Sequence, residues 1–322
     1  KVLFMTITVL VLACATAGLA YANGGPHGGY APTTDGCAGC HRAHTATGPN
    51  LLVSSSTNDL CMSCHGATGA GANTNVDDGY YLSSRDDSGG DYDHGAANTP
   101  DGAPLLGGGF INYRGVPVTS IHNPDGTELA AWGYGVARGS MADLAEFLTC
   151  ASCHDPHGSP NYRIINETIN GAGVSVAQVD EGAAKDYDTE QWGGGTSSVC
   201  AACHGAYHVT RAGSGSDSSD DGTGNVDYGG DIASFAHRID MSYSYGANAN
   251  PETVGLGGYF LPLAETGAGD YVVCMTCHLP HGTSVEMVGN ADGAGLPGET
   301  SATDSALLRV DNRGVCQVCH QK

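Results

Sequence analysis

Cys-x-x-Cys-His occurs six times in this chain of 322 residues, at 37–41, 61–65, 150–154, 200–204, 274–278 and 316–320. No other feature restricts the possible fold so tightly. Two thiols separated by two residues lie on one side of a tight turn, where they add to the two vinyl groups of a porphyrin; the next residue presents its imidazole to the iron. A structural zinc site would combine its cysteine pairs with one another and would not need a histidine after every pair. Disulfides between cysteines this close in sequence make strained loops that staple little. Twelve of the 13 cysteines lie in the motifs, and Cys14 precedes them all. The reading is therefore six covalent c-type haems, attached through Cys37, Cys40, Cys61, Cys64, Cys150, Cys153, Cys200, Cys203, Cys274, Cys277, Cys316 and Cys319. The proximal iron ligands are His41, His65, His154, His204, His278 and His320.

The rest of the composition agrees with a fold built around cofactors. Glycine accounts for 50 residues, against 5 Phe and 2 Trp, so large apolar side chains are too few for an ordinary core. The expected fold class is a multihaem cytochrome c, mostly coil and turns with a few short helices and very little strand, wrapped around a linear chain of six stacked haems. The apo-chain should then be unfolded. A short helix is expected over 140–148, capped by Ser140, with Leu144, Phe147 and Leu148 on one face. Tyr271-Val272-Val273 is the one plausible short strand.

Residues 1–22 read as a secretory signal. Lys1 precedes the apolar run 2–20, and Ala20-Tyr21-Ala22 is a small-x-small cleavage site, so no membrane anchor is expected in the mature chain. Lipidation at Cys14 is the poorer fit, because Leu12-Ala13 departs from the usual lipobox. Export to the extracellular space or cell surface suits covalent haem attachment, with the periplasm as the alternative. Twelve Lys and Arg against 34 Asp and Glu give a formal charge of −22, which disfavours nucleic acid and anionic membranes and favours basic partner proteins, cations or minerals. The acidic stretch 217–231 loosely resembles a calcium loop. Its spacing does not fit an EF-hand, so a solvated loop stands ahead of a structural calcium ion.

The motifs fall into three modules of one design: 23–110 with haems 1 and 2, 111–225 with haems 3 and 4, and 226–322 with haems 5 and 6. In each module the first motif continues to a second histidine three residues on, at His44, His157 and His281. A plain motif follows, and an isolated histidine precedes the pair, at His27, His122 and His237. Gly, Ser, Asp and Asn-rich segments at 67–109 and 212–231 read as surface loops. Fourteen histidines allow a distal imidazole at every iron, whereas only three methionines fall outside the leader and the motifs. A histidine three residues beyond the proximal one sits on the same side of a helical turn and cannot reach the far face of its own haem.

The strings Cys40-His41-Arg42-Ala43-His44, Cys153-His154-Asp155-Pro156-His157-Gly158 and Cys277-His278-Leu279-Pro280-His281-Gly282 resemble the OmcS-type hexahaem outer-surface cytochromes, the extracellular cytochrome nanowire family. So do Ser120-Ile121-His122-Asn123, Ala236-His237-Arg238-Ile239-Asp240 and Ala206-Tyr207-His208. The resemblance implies bis-histidine haems in alternating parallel and perpendicular contact, with one distal histidine crossing between subunits. Combined with the repeat, it implies that the +3 histidine of one module ligates the first haem of the module before: His157 for the His41 haem, and His281 for the His154 haem. His44 would bind the His278 haem of a neighbouring subunit, a head-to-tail contact that builds open filaments. His27, His122 and His237 would serve the haems of His65, His204 and His320. His94 and His208 are spares, with His208 an alternative ligand.

The implied function is long-range electron transfer through a polymer, delivering to redox proteins, minerals or electrodes. One rival is a monomeric shuttle, in which every +3 histidine pairs within its own module or chain. The other is a reductase, which would need one open iron position.

Overall fold

The structure is a computed structural model that describes residue 27 and residues 37–69, 72, 74–81, 104–134, 141–179, 191–208, 239–243, 261–266, 269–286, 305–310 and 314–320. The leader 1–22, the acidic stretch 217–231, His94 and His237 lie outside the described residues.

Every described α-helix carries a motif: α1 (Thr57–His65), α2 (Cys150–Cys153), α3 (Ser197–His204), α4 (Cys274–Cys277) and α5 (Gly314–His320). The first motif makes one turn, closed by His41 N donating to the Cys37 carbonyl at 2.8 Å. Such short helices cannot hold themselves and depend on caps and packing. The residue before the second cysteine supplies two of these caps: Ser152 Oγ accepts from Thr149 N at 2.9 Å, and Thr276 Oγ1 accepts from Val273 N at 3.1 Å. On the longer α1, Ser56 Oγ caps Asp59 N at 3.0 Å.

The helices α2 and α4 stop before the histidine. His154 (φ −115°, ψ 135°) and His278 (φ −116°, ψ 146°) are extended, whereas His65, His204 and His320 are the last residues of α1, α3 and α5. This corrects the premise that His157 and His281 share a helical face with their proximal neighbours: each sits in the turn beyond the helix.

Strands are short but more numerous than the single one expected. Trp192–Gly193, Ala264–Thr266, Gly269–Val272 and Met241–Ser242 form a four-stranded sheet in that order. Its first pair is parallel and the others antiparallel. The expected Tyr271-Val272-Val273 stretch falls in the third strand, and two-residue hairpins make up most of the rest. The helix expected over 140–148 is not formed. Met141–Asp143 pairs with Ala130–Trp132, and the amides that a helix would need are donated sideways, Leu144 N to the Leu129 carbonyl and Leu148 N to that of Glu128. Phe147 is left 52% exposed.

The segment read as a surface loop over 67–109 is also structured where it is described. Asn75 is buried, donates to Asp78 Oδ2 at 2.8 Å and accepts from Asp78 N, while Asn112 Nδ2 reaches Asp78 Oδ1 at 2.7 Å. Tyr80 and Leu105 are buried as well.

Small aliphatic side chains do build a protein core, contrary to the expectation from composition. Tyr162, Ile169, Val174, Val176, Trp192, Val199, Ala264, Val273 and Met275 pack into one cluster between modules 2 and 3. Leu261, Val310, Val315 and Val318 form a second one against Cys277 and Cys319. Trp192 satisfies its indole by donating Nε1 to the Met275 carbonyl at 3.1 Å. Backbone proximity helps: Gly193 and Gly195 lie where a side chain would overlap the Ala177 and Ser175 carbonyls, so the strip after Trp192 packs closely on 174–177.

The clearest case joins all three modules. His281 N donates to the Gly107 carbonyl at 2.8 Å, Gly109 N to the Gly282 carbonyl at 3.2 Å, His122 N to the His281 carbonyl at 3.0 Å, and Thr119 N to the Thr283 carbonyl at 2.7 Å. Residues 281–283 of module 3 are thus threaded between a strip of module 1, 107–109, and a strip of module 2, 119–122. Gly108, at φ +84°, lies where a side chain would overlap the Gly282 carbonyl.

Leu279, fully buried beside Gly108, locks this junction. Leu279→Ala is expected to cost about 2–5 kcal/mol in denaturant unfolding of the holoprotein. Phe147→Ala, at an exposed position, should stay within about 0.5 kcal/mol. Equal effects at the two positions would contradict this packing account.

Candidate metal centres

Four pairs of imidazoles face one another. Ring centres are 6.0 Å apart for His27 and His65, 6.2 Å for His41 and His157, 6.0 Å for His122 and His204, and 6.3 Å for His154 and His281. Two metal–nitrogen bonds of about 2 Å, plus about 1 Å from each nitrogen to its ring centre, give a spacing of about 6 Å across a shared metal. The spacing therefore fits an iron held between two histidines.

The ring orientations fit too. His41 Nδ1 donates to the Asn50 carbonyl at 2.8 Å, His154 Nδ1 to that of Arg163 at 3.0 Å, and His278 Nδ1 to that of Ala306 at 2.8 Å. His204 Nδ1 donates to the Trp132 carbonyl at 2.8 Å, and the Nδ1 of His65 meets Thr74 Oγ1 at 2.8 Å. Among the facing histidines, His27 Nδ1 donates to the Pro156 carbonyl at 3.0 Å and His122 Nδ1 to that of Pro280 at 2.7 Å. A carbonyl only accepts, so Nδ1 carries the proton and Nε2 keeps a lone pair for a metal. Burial, with His27 close by, holds His65 down to about 4; burial also holds His122 down to about 4 and His281 to about 3. These imidazoles stay neutral and available as ligands at physiological pH.

The three carbonyl acceptors of the first motifs share a device that sequence reasoning missed. Asn50-Leu51, Arg163-Ile164 and Ala306-Leu307 each place two successive non-glycine residues in the left-handed region, with φ from 48° to 60°. Such residues cost about 1 kcal/mol or more each. The turn is held by a bridge from the next residue back to the histidine: Leu52 to His41, Ile165 to His154 and Leu308 to His278. The signal was present as Leu51-Leu52, Ile164-Ile165 and Leu307-Leu308. In module 3 an insertion moves the acceptor from 9 to 28 residues beyond the histidine, which obscures the repeat.

The motif cysteines neighbour one another in chain order. Cys40 lies near Cys61 and Cys64, and Cys61 lies beside Cys150. Cys153 lies near Cys203, Cys200 lies beside Cys274, and Cys277 lies near Cys319. Burial pushes the Cys153 thiol up to about 11 and that of Cys277 to about 12.

Four of the six expected pairs are thus brought together, and the other two involve a neighbouring subunit and a residue outside the described ones. His44 is exposed, and among the described residues no second imidazole faces His278. The partner proposed for His320 is His237, which is outside the described residues. His208, read as an alternative ligand, gives its Nε2 to Asp240 Oδ2 at 2.8 Å. That bond engages the nitrogen a metal would need.

The family described as "Doubled CXXCH motif" matches residues 30–70, which hold the first two motifs. No match is found among curated protein sequences. A solved structure, the Outer Membrane Cytochrome S filament from Geobacter sulfurreducens, is similar at 17% identity with a TM-score of 0.37, covering 89% of this chain and 98% of that one. Among the described residues, no helix is long and apolar enough to cross a membrane.

The hydrogen bond to Asp240 raises His208 above its ordinary value. A histidine raised on folding contributes stability that is full below its unfolded value of about 6.5 and is lost as pH rises through the raised folded value. Thermal unfolding of Asp240→Asn should therefore fall below the parent at acidic pH and converge with it above that window. An offset that does not change with pH would remove the ion pair from the account.

Proposed function

We propose that this multihaem c-type cytochrome is an extracellular electron conductor carrying six haems, whose subunits join head to tail into a filament. The reading rests on one observation, the one-module offset of the facing imidazoles. His157 of module 2 faces His41 of module 1, and His281 of module 3 faces His154 of module 2. Continued beyond the chain, the same offset requires an imidazole from a following module 1 at His278, and His44 is the exposed histidine of that kind. His44 of one subunit then ligates the His278 haem of its neighbour. His27 and His122 serve the haems of His65 and His204, and His237 serves that of His320.

Covalent haem supplies a one-electron iron couple when bound. The chain's own residues do the rest. The cysteines would fix each porphyrin's position, and the Nδ1 bonds of His27, His41, His122, His154, His204 and His278 to backbone carbonyls set the direction of those imidazoles and strengthen them as donors. Histidine on both faces closes every iron, leaving no site for a substrate, so the protein moves electrons rather than catalysing a reaction. The order in which motif cysteines neighbour one another supports a single line of transfer. The acidic surface, formally −22, suits basic redox partners, metal ions or mineral surfaces as acceptors.

His44→Ala is expected to leave six attached haems and to abolish polymerisation, with one iron per chain turning high-spin in the oxidised electron paramagnetic resonance spectrum. Filaments of normal length from this variant, seen by cryo-electron microscopy of the secreted fraction, would sink the proposal. Discrete particles from the parent protein, with every iron low-spin, would instead make it a monomeric shuttle.

A further inference from the structure

The carbonyl that orients the first-motif histidine comes from a different residue type in each module. Asn50 serves His41, Arg163 serves His154 and Ala306 serves His278, with φ of 54°, 54° and 48°. That job uses the main chain alone, and modules 1 and 3 do it with neutral side chains. Asparagine is also the residue type of the three that the left-handed region tolerates best, because its short polar side chain bonds locally. Placing the carbonyl therefore gives no reason for an arginine at 163.

The side chain of Arg163 has a fixed station of its own. Its guanidinium carbon lies 4.9 Å from the ring centre of Tyr162, which is itself buried. A cation at that distance is attracted to an aromatic face, so the charge stays beside the turn. The turn sets it next to one pair of facing imidazoles. Arg163 is tied to His154 through its own carbonyl at 3.0 Å, and His154 faces His281 at 6.3 Å. Burial holds both imidazoles below their ordinary value, and the charge of Arg163 acts on each in the same direction. The acidic residue of the same turn, Asp155, is engaged at the other pair. Its Oδ1 accepts from His157 N at 2.8 Å and lies 3.5 Å from His157 Nδ1.

We infer that Arg163 sets the potential of the haem held between His154 and His281, acting through space as a fixed cation that favours ferrous over ferric iron. This rests on the haem reading proposed above, and no contact between guanidinium and porphyrin is required. A charge that opposes a proton on either imidazole opposes, by the same Coulomb repulsion, the extra positive charge of oxidised iron between them. Arginine keeps its charge throughout the physiological pH range. In a partly buried position that charge is screened less than one in open solvent. The His154 haem then accepts an electron at a more positive potential than it would with a neutral residue at 163. The contrast is with the His41 haem, where the matching residue is Asn50 and the distal imidazole has Asp155 beside it.

The test uses the full holoprotein with three variants: Arg163→Asn, which copies module 1 and suits the left-handed backbone, Arg163→Gln, which removes the charge but keeps a longer stem, and Arg163→Lys, which keeps the charge. Intact mass of the parent counts the attached haems, so a failure of the haem reading shows there, before any variant is made. Spectroelectrochemical titration then tests Arg163. Either neutral variant that retains six haems should shift one midpoint potential to a more negative value and leave the other five in place, while Arg163→Lys stays close to the parent. Six unchanged potentials in a neutral variant would overturn the inference. So would an equal negative shift in Arg163→Lys, which would assign the effect to lost packing on Tyr162 instead of charge.

Discussion

A histidine that is to hold a metal must first commit its other nitrogen. For His27, His41, His122, His154, His204 and His278 that commitment is a hydrogen bond from Nδ1 to a backbone carbonyl, and much of the local structure serves to place the acceptor. At the first motif of each module the carbonyl belongs to a left-handed residue, Asn50, Arg163 or Ala306. Two strained residues in succession would not persist in an isolated turn. They are kept by the bridge to the histidine and by backbone bonds to the motif cysteines, so the turn and the motif stabilise each other. Two of the second motifs solve the same problem differently: their histidines close a helix and take partners from a neighbouring hairpin, the Thr74 hydroxyl for His65 and the Trp132 carbonyl for His204.

The opposite imidazoles come from elsewhere in the chain, and they join the modules. Pro156 and Pro280 lie in the turn that carries His157 and His281, and their carbonyls accept from His27 and His122. Each turn therefore presents one imidazole to the module before and orients another that belongs to it. Glycine makes this possible at Gly107–109, where backbone meets backbone too closely for any side chain at Gly108. Interlocking of this kind gives module 2 a partner on either side, and it is the physical basis for the filament proposed above.

Electrostatics follows the same division of interior from surface. Negative charge is spread over a chain with 34 acidic and 12 basic residues, while histidines inside are held neutral by burial. The exceptions are informative. His208 is paired with Asp240 and so is withdrawn from metal binding. Arg163 carries a charge where Asn50 and Ala306, in the matching positions, have none.

Six Cys-x-x-Cys-His motifs, the two further histidines of each module and the three-module order were legible in the sequence, because covalent attachment and ligation demand particular residues at particular spacings. The scarcity of long helices followed from glycine content. Several things were not legible. The hairpin at Met141–Asp143 replaced a helix because amides such as Leu144 N found acceptors across the chain rather than four residues back. The core around Trp192 depends on how closely glycine strands approach, which composition does not report. The four facing pairs agree with those expected from the repeat and the family resemblance, but only the tertiary structure set which carbonyl orients each ring, because those distances join residues as far apart as His122 and Pro280. Spacing along a chain dictates chemistry within a motif; closure between motifs is decided by packing.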